Sequence, residues 1–463
     1  MLKVPDEADQ VLVAKAYEAE QQHVFDHWDG LDDAARRALL DQLRGIDLKL
    51  LKRLSRLIDE GGATSSLLDG LGTDPVTPAR RAELERRGWA ELEAGRVACL
   101  TVAGGQGTRL GWDGPKGTFP VGPVTGKSLF ALFAEQVLAT GLRAGRPLRW
   151  LLLTSQENRG QTEDYFRANA WFGLDPAQVR FLVQRELPAA DPAGRLILAE
   201  RGRIAMSPDG HGGTLRALET SGALDELVAD GVSQLFYFQV DNPLCRVACP
   251  AFLGAHVEEG AQVSTKVVRK TDPDEKIGLV VQRNGRAAVV EYSELPPDAQ
   301  RAREPDGRLV YRAGNTAIHL FDVGFLARLE GDGFELPYHV ARKAVPFVDG
   351  DGNVVVPDKP NAIKFESFIF DLLPEAERHV TFEVEREEEF EPLKNKAGAY
   401  SPETVRAALS ARAARWLAQA GHAPPAGVRC EVSPRTALDA AALALALEKG
   451  GLDLTPRDGA LSI

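Results

Sequence analysis

Apolar and polar positions change their rhythm along the chain, and each rhythm predicts a different kind of element. From residue 7 to about residue 60 apolar residues recur at helical spacing: Leu39, Leu40, Leu43 and Ile46 form one stripe, continued by Leu50, Leu54 and Leu57. This predicts a helical N-terminal arm. A Gly-, Thr- and Pro-bearing stretch over residues 61–78 breaks the pattern, and Thr77-Pro78 reads as the start of another helix reaching about Leu92. Short unbroken apolar runs then take over at residues 97–103, 150–154, 179–183 and 235–240. They alternate with helical patterns over 128–144, 162–170 and 214–227, which predicts parallel strands joined by crossover helices. Residues 263–320 are rich in short β segments such as Ser264-Thr-Lys-Val-Val268 and predict an antiparallel extension of that sheet. After Pro402 an Ala-rich helix runs to about Ala418, and Ala423-Pro-Pro425 breaks the chain before its end. The fold class expected is α/β, divided into an N-terminal helical region (1–95), a catalytic core with a mixed sheet (96–401) and a small C-terminal domain (402–463).

Composition narrows the partners. With 463 residues, 44% hydrophobic and 26% charged, the chain can build a large core and is not a disordered tail. Its formal charge of -12 supplies no general basic field, so nucleic acid is not an expected partner and any phosphate site must be a local basic pocket. Cys99, Cys245, Cys249 and Cys430 show neither a CxxC nor zinc-ligand spacing, which suggests reduced thiols. The first residues, MLKVPDEADQ, lack an apolar signal core, and no apolar stretch approaches the ~20 residues that span a bilayer. A cytoplasmic protein without a membrane partner is expected.

The most informative stretch is Ala103-Gly-Gly-Gln-Gly-Thr-Arg-Leu-Gly111, followed by Pro115-Lys116. A strand that ends in glycines can bring backbone N–H groups close to phosphate oxygens. Two familiar phosphate loops fail here. A dinucleotide GxGxxG begun at Gly105 and Gly107 has Leu110 in its third position, and Gly126-Lys127-Ser128 lacks the first glycine of a P-loop because Val121 stands there. What remains is a glycine loop with its own cations, Arg109 and Lys116, able to neutralise a triphosphate, a combination suited to nucleotidyl transfer. Asp241, after the apolar run Phe236-Tyr-Phe-Gln-Val240, stands where open α/β sheets bind ligands, and a hard carboxylate there suits magnesium.

With these residues the chain resembles the eukaryotic-type UDP-sugar pyrophosphorylases, and among them the UDP-N-acetylhexosamine pyrophosphorylases. The resemblance continues in order through Met206-Ser-Pro-Asp-Gly-His-Gly-Gly213, Val240-Asp-Asn242, Val289-Val-Glu-Tyr-Ser-Glu294, Gly314-Asn315, Pro357-Asp-Lys-Pro-Asn361, Lys364-Phe-Glu-Ser-Phe-Ile-Phe-Asp371 and Glu389-Phe-Glu-Pro-Leu-Lys-Asn395. It spans about residues 98–395 and implies a Rossmann-like nucleotidyltransferase core, UTP and a sugar 1-phosphate as substrates, and Mg2+ as cofactor.

By that resemblance Arg109, Lys116 and Lys394 face the phosphates, and Asp241 is the metal aspartate. Gly104, Gly105, Gln184 and Gly210 match uridine-binding positions; Gln184 offers the donor and acceptor that a uracil edge needs. Gly278, Glu291, Asn315, Phe368 and Phe370 match the sugar pocket, the two phenylalanines alternating as residues on one strand face do. One position departs. His211 stands in Gly210-His-Gly-Gly213 where the N-acetylhexosamine enzymes usually carry Asn, and it looks like the Gly-His-Gly loop of UDP-glucose and broad-specificity UDP-sugar pyrophosphorylases. N-acetylglucosamine 1-phosphate is the favoured sugar, with glucose 1-phosphate or a broad range as the alternative. A silent sugar-nucleotide sensor is disfavoured, because a mere binder has little use for Arg109, Lys116, Asp241 and Lys394 together.

Overall fold

The computed structural model describes residues 1–57, 68–71 and 75–463. Its contacts group the chain into two units, one of Met1–Ser65, Gln184–Gly213 and Glu335–Ile369, the other of Ser66–Val183, Thr214–Phe334 and Phe370–Ile463. This cut differs from the three consecutive segments expected from sequence.

The second unit is built on a sheet of ten strands: β1 (Leu68–Gly70), β2 (Val97–Val102), β3 (Arg149–Thr154), β4 (Val179–Val183), β5 (Gln234–Gln239), β6 (Val263–Arg269), β7 (Leu279–Arg283), β8 (Arg286–Val290), β9 (Ala313–Asp322) and β10 (His379–Val384). The main path runs β1-β7-β9-β5-β2-β3-β4, with β8 on β7, and with β6 on β9 and carrying β10. Strands β5, β2, β3 and β4 pair in parallel, and the largely apolar runs of β5, β2 and β3 suit strands covered on both faces. The pairs β5–β9, β9–β6 and β7–β8 are antiparallel, so the sheet is mixed as the sequence predicts.

Helices α4 (Pro78–Glu93), α5 (Leu129–Ala144) and α6 (Arg159–Ala168) belong to this unit. Thr77 and Ser128 cap the first two by accepting backbone N–H bonds from Arg80 and Ala131. Helix α4 crosses α7 (Pro250–Glu258) through two glycines: a Cβ at Gly88 would stand 1.9 Å from the Pro250 oxygen, and one at Gly254 1.9 Å from the Leu84 oxygen. The single helix expected over 214–227 is two, Gly213–Thr220 and Ala223–Ala229, because Gly222 turns left-handed at φ 69° between them. Residues 402–463 form α8 (Pro402–Gln419), α9 (Ala440–Glu448) and a parallel pair, Arg429–Glu431 with Ala460–Ser462, around Leu417, Cys430, Leu443 and Leu461.

The first unit opens with α1 (Glu7–Glu18), α2 (Asp33–Gly45) and α3 (Leu48–Arg56), capped by Asp6, Asp32 and Asp47. The expected Leu39, Leu40, Leu43, Leu50 and Leu54 stripe packs with Leu187, Ile204, Ile363 and Phe365. Residues 58–60 of the arm, and 61–67 and 72–74 of the break after it, lie outside the described residues. Short antiparallel pairs complete this unit, the longest joining Tyr338–Lys343 to Ala362–Ser367. Among the described residues no helix is long and apolar enough to cross a membrane, and the four cysteines are buried and unbridged.

Candidate active site

The glycine loop leaves β2 at its C-terminal end and closes on itself. The Lys116 N–H donates to the Gly105 oxygen at 3.0 Å and the Gly107 N–H to the Gly114 oxygen at 2.9 Å. Not every glycine here serves a ligand. A Cβ at Gly107 would meet Trp112 at 2.7 Å, and one at Gly117 would meet Phe130 at 2.1 Å, so these two are required by packing. Trp112, whose Nε1 donates to Thr118 Oγ1 at 2.8 Å, holds the loop from inside and carries no sequence signal beyond its place among glycines. Around Gly105 an added Cβ would meet nothing within 4 Å, the open backbone a phosphate needs. Gly104 is half-buried beside it, and Arg109 is exposed in the short 3-10 turn Thr108–Leu110, without an ion pair among the described residues.

Closure of the loop sets Lys116 Nζ 3.8 Å from Asp241 Oδ2, beyond the end of β5. The Asp241 oxygen accepts the Leu393 N–H at 2.7 Å, and this bond brings the segment bearing Lys394 to the same strand end. Lys394 itself is exposed, and its N–H donates to the Tyr400 oxygen at 2.8 Å. Lys394 also acts electrostatically on Glu291. Desolvation, then the charge of Glu294, raises the Glu291 carboxyl above its ordinary value, and Lys394 opposes both.

Glu291, Gly278 and Asn315 form a second group in this unit. The Asn315 N–H donates to the Gly278 oxygen at 2.8 Å, and Glu291 Oε1 stands 3.6 Å from where a Gly278 Cβ would be. Asn315 precedes an irregularity in β9 against β6, where Ala317 adopts φ 56° and its N–H donates to Asn315 Oδ1. Such bulges re-aim side chains at sheet edges and sites.

A third group lies in the first unit. Gly210 turns left-handed at φ 82°, and a Cβ there would stand 2.3 Å from the Ser367 oxygen. The Gly212 N–H donates to that oxygen at 2.8 Å, and the Ser367 N–H to the Asp209 oxygen at 2.7 Å, so the loop is stitched to the end of strand 362–367. Gln184 Nε2 donates to Asp209 Oδ1 and to the Gly210 oxygen. The amide nitrogen is thereby committed and its oxygen is left to accept, which halves the donor-and-acceptor role expected of Gln184. Asp209 was not singled out from sequence; its signal is an Asp directly before a turn glycine.

His211 Nδ1 accepts the Ile369 N–H at 3.2 Å, and its ring stacks on Phe368 at 5.3 Å. Burial, helped by the charge of His339, lowers its pKa to about 4, so the ring is neutral with its proton on Nε2. Phe368 and Phe370 do not alternate on a strand. The strand ends at Ser367, Phe368 follows it, and Phe370 is buried in the 3-10 turn Ile369–Glu375, whose helical turn replaces the strand's two-residue alternation.

Loops gathered at the C-terminal ends of parallel strands, with cations and one carboxylate, define a nucleotide-handling α/β enzyme of the nucleotidyltransferase fold. The chain aligns in structure with the uridine diphosphate N-acetylglucosamine pyrophosphorylase of Trypanosoma brucei crystallised with an inhibitor, at a TM-score of 0.83 and 27% identity, covering 100% of this chain and 99% of that one. The same fold is seen in a UDP-glucose pyrophosphorylase mutant from Leishmania major, at a TM-score of 0.58 and 20% identity over 84% of this chain and 77% of that one.

Residues 76–421 match the UTP–glucose-1-phosphate uridylyltransferase family, and the chain belongs to it. Among curated relatives, the human UDP-N-acetylhexosamine pyrophosphorylase-like protein 1 is 40% identical over 438 residues, 89% of this chain and 86% of the relative. The UDP-N-acetylglucosamine pyrophosphorylase of Saccharomyces cerevisiae is 34% identical over 443 residues, 90% of this chain and 93% of the relative.

Proposed function

We infer that the protein is a uridylyltransferase that joins UTP and N-acetylglucosamine 1-phosphate to give the UDP-sugar and pyrophosphate. An oxygen of the sugar phosphate bonds to the α-phosphorus as the bond from that phosphorus to the bridging oxygen breaks, and pyrophosphate leaves with the electron pair. The nucleophile is already anionic at neutral pH, so no general base is required; the protein must align and neutralise. The observation that carries this reading is the closed glycine loop that sets Lys116 3.8 Å from Asp241 at the strand end. Relatives named for UDP-N-acetylglucosamine and UDP-N-acetylhexosamine support the choice of sugar.

In this reading the open backbone at Gly105, with Gly104 beside it, receives phosphate, while Arg109, Lys116 and Lys394 neutralise the triphosphate and the leaving group. Asp241 would hold Mg2+. Among the described residues no cluster of three metal-ligating side chains forms, and one carboxylate is what an ion held largely by phosphate oxygens needs. When bound, the ion adds positive charge where the pyrophosphate develops. Gln184 Oε1 accepts from the uracil N3–H, with Gly210 beside it. Within the second unit Glu291 and Asn315 meet sugar oxygens, with Gly278 beside them and Phe370 assigned to the same role by resemblance; within the first, His211 and the Phe368 ring stacked on it are assigned to the sugar by resemblance.

The test is pyrophosphate release from UTP, Mg2+ and a panel of sugar 1-phosphates. N-acetylglucosamine 1-phosphate is expected to give the highest kcat/KM, and no release with any sugar phosphate overturns the uridylyl-transfer reading. A second reading, glucose 1-phosphate, is favoured by His211 in the Gly-His-Gly loop. Its signature is a preference for glucose 1-phosphate that His211→Asn shifts toward the acetylated sugar.

A further inference from the structure

Asp241 and Lys394 sit on two separate segments, and most of what joins those segments lies outside both residues. Asn242 is 3% exposed and uses its whole side chain for the purpose. Its Nδ2 donates to the Glu389 oxygen at 2.8 Å, and its Oδ1 accepts the Glu391 N–H at 3.1 Å. Arg412, on α8, bridges the same segments from another side, Nη1 donating to the Leu244 oxygen at 2.9 Å and to the Glu388 oxygen at 3.0 Å. With the Leu393 N–H on the Asp241 oxygen, three hydrogen bonds join residues 241–244 directly to residues 388–393, and two more link them through Arg412.

Arg412 is an expensive way to satisfy two carbonyls. Burial lowers its pKa to about 10, and among the described residues it forms no ion pair, since the Glu388 carboxylate is engaged by Arg415 and Trp416. A guanidinium nevertheless offers what a flexible ammonium does not, a planar donor whose hydrogens hold fixed directions. Spanning two segments far apart in the chain is a use for that rigidity.

We propose that Asn242 and Arg412 are positioning residues for uridylyl transfer, holding Lys394 at a fixed reach from Asp241 and making the C-terminal helix α8 part of that fixture. The proposal rests on the reading that Asp241 and Lys394 serve the phosphates. Neither Asn242 nor Arg412 need touch a substrate; both act through the segments they join.

A double-mutant cycle on the full chain tests it, with pyrophosphate release, KM for UTP and thermal midpoint measured for each variant. Asn242→Ala and Arg412→Gln are expected to lower kcat at least tenfold with KM for UTP within threefold. In a Lys394→Ala background the same substitutions should change kcat less than twofold, because the residue they position is gone. Arg412→Lys, which keeps the charge but loses the planar fork, should fall between wild type and Arg412→Gln, and it serves in the cycle where Arg412→Gln does not fold. Leu417→Ala removes a buried side chain from α8 and should lower the midpoint without lowering kcat. Equal losses in both backgrounds, or unchanged kcat in the single variants, overturn the proposal. Absence of turnover by the wild-type protein with every sugar phosphate would instead overturn the uridylyl-transfer reading.

Discussion

Two of the lysine–carboxylate pairs within the second unit are built for opposite purposes. Lys266 on β6 is hydrogen-bonded to Glu389, with side chains 0% and 7% exposed, among the aromatic rings of Phe236 and Phe252. Lys116 and Asp241 stand 3.8 Å apart with side chains 21% and 15% exposed, and no hydrogen bond joins them. The first pair is buried, with the Lys266 side chain fully enclosed. It fixes Glu389, and so anchors the segment that leads to Lys394. The second pair is loose enough for each charge to engage a phosphate or a cation while the other stays in place. Opposite charges held near one another but unbonded keep both available, whereas a sealed pair spends both on structure.

Breaking the sealed pair should give the largest effect. Lys266→Met or Glu389→Gln leaves a buried charge or polar group without its partner and should cost about 3–5 kcal/mol of stability, read from urea unfolding. Lys266→Met combined with Glu389→Leu should recover most of that loss. A single variant as stable as wild type would make the pair a bystander. At the loose pair and the nearby loop cation Arg109 the order reverses: Asp241→Asn, Lys116→Ala and Arg109→Ala should each change stability by less than ~1 kcal/mol but lower kcat by at least ~2 kcal/mol in transition-state terms, with uridine binding little altered. Unchanged kcat would make them ordinary surface charges.

The smallest effect is set by pH and sharpens the contrast further. The strand that carries Lys266 is flanked by histidines: His256 Nδ1 is hydrogen-bonded to Ser264 Oγ at 2.7 Å, and His379 Nε2 to Thr265 Oγ1 at 3.1 Å. Burial lowers their pKa values from 6.5 to about 3 and about 4, with His379 adding to the shift at His256. Both are neutral in the folded protein and take up protons more readily when unfolded. Their stabilising contribution is therefore complete above pH 6.5 and is lost as pH falls from 6.5 toward 4 and 3. Between pH 7 and pH 6 the loss should be on the order of 1 kcal/mol, seen as a lower urea midpoint, and it should shrink in His256→Asn. An unchanged midpoint over that interval would contradict it.

Much of the frame was legible because it is local. Thr77 and Ser128 announce their helices by capping, and the apolar runs before the glycine loop and before Asp241, short and alternating with helical patterns, read as buried parallel strands. Lys116 and Asp241 were readable as candidates because each ends a recognisable pattern. The two-unit grouping was not, since the helices of residues 7–56 find their partners in 184–213 and 335–369, a pairing that no periodicity encodes. Asn242 was visible as part of a motif but its work was not, because its partner Glu389 is 147 residues away. Phe368 and Phe370 misled for a related reason: an apolar alternation of two residues does not reveal that the strand has already ended.

The reach of Arg412 has a consequence for how the protein is made. Asn242 leaves the ribosome about 170 residues ahead of Arg412, which at 5–20 residues per second is roughly 10 to 30 s. During that interval the strand end bearing Asp241 exists without α8, whose guanidinium spans the Leu244 and Glu388 oxygens. A chain arrested during synthesis before residue 402 therefore carries the glycine loop and Asp241 but lacks the bridge, so a truncated product would not inherit the geometry of the finished protein.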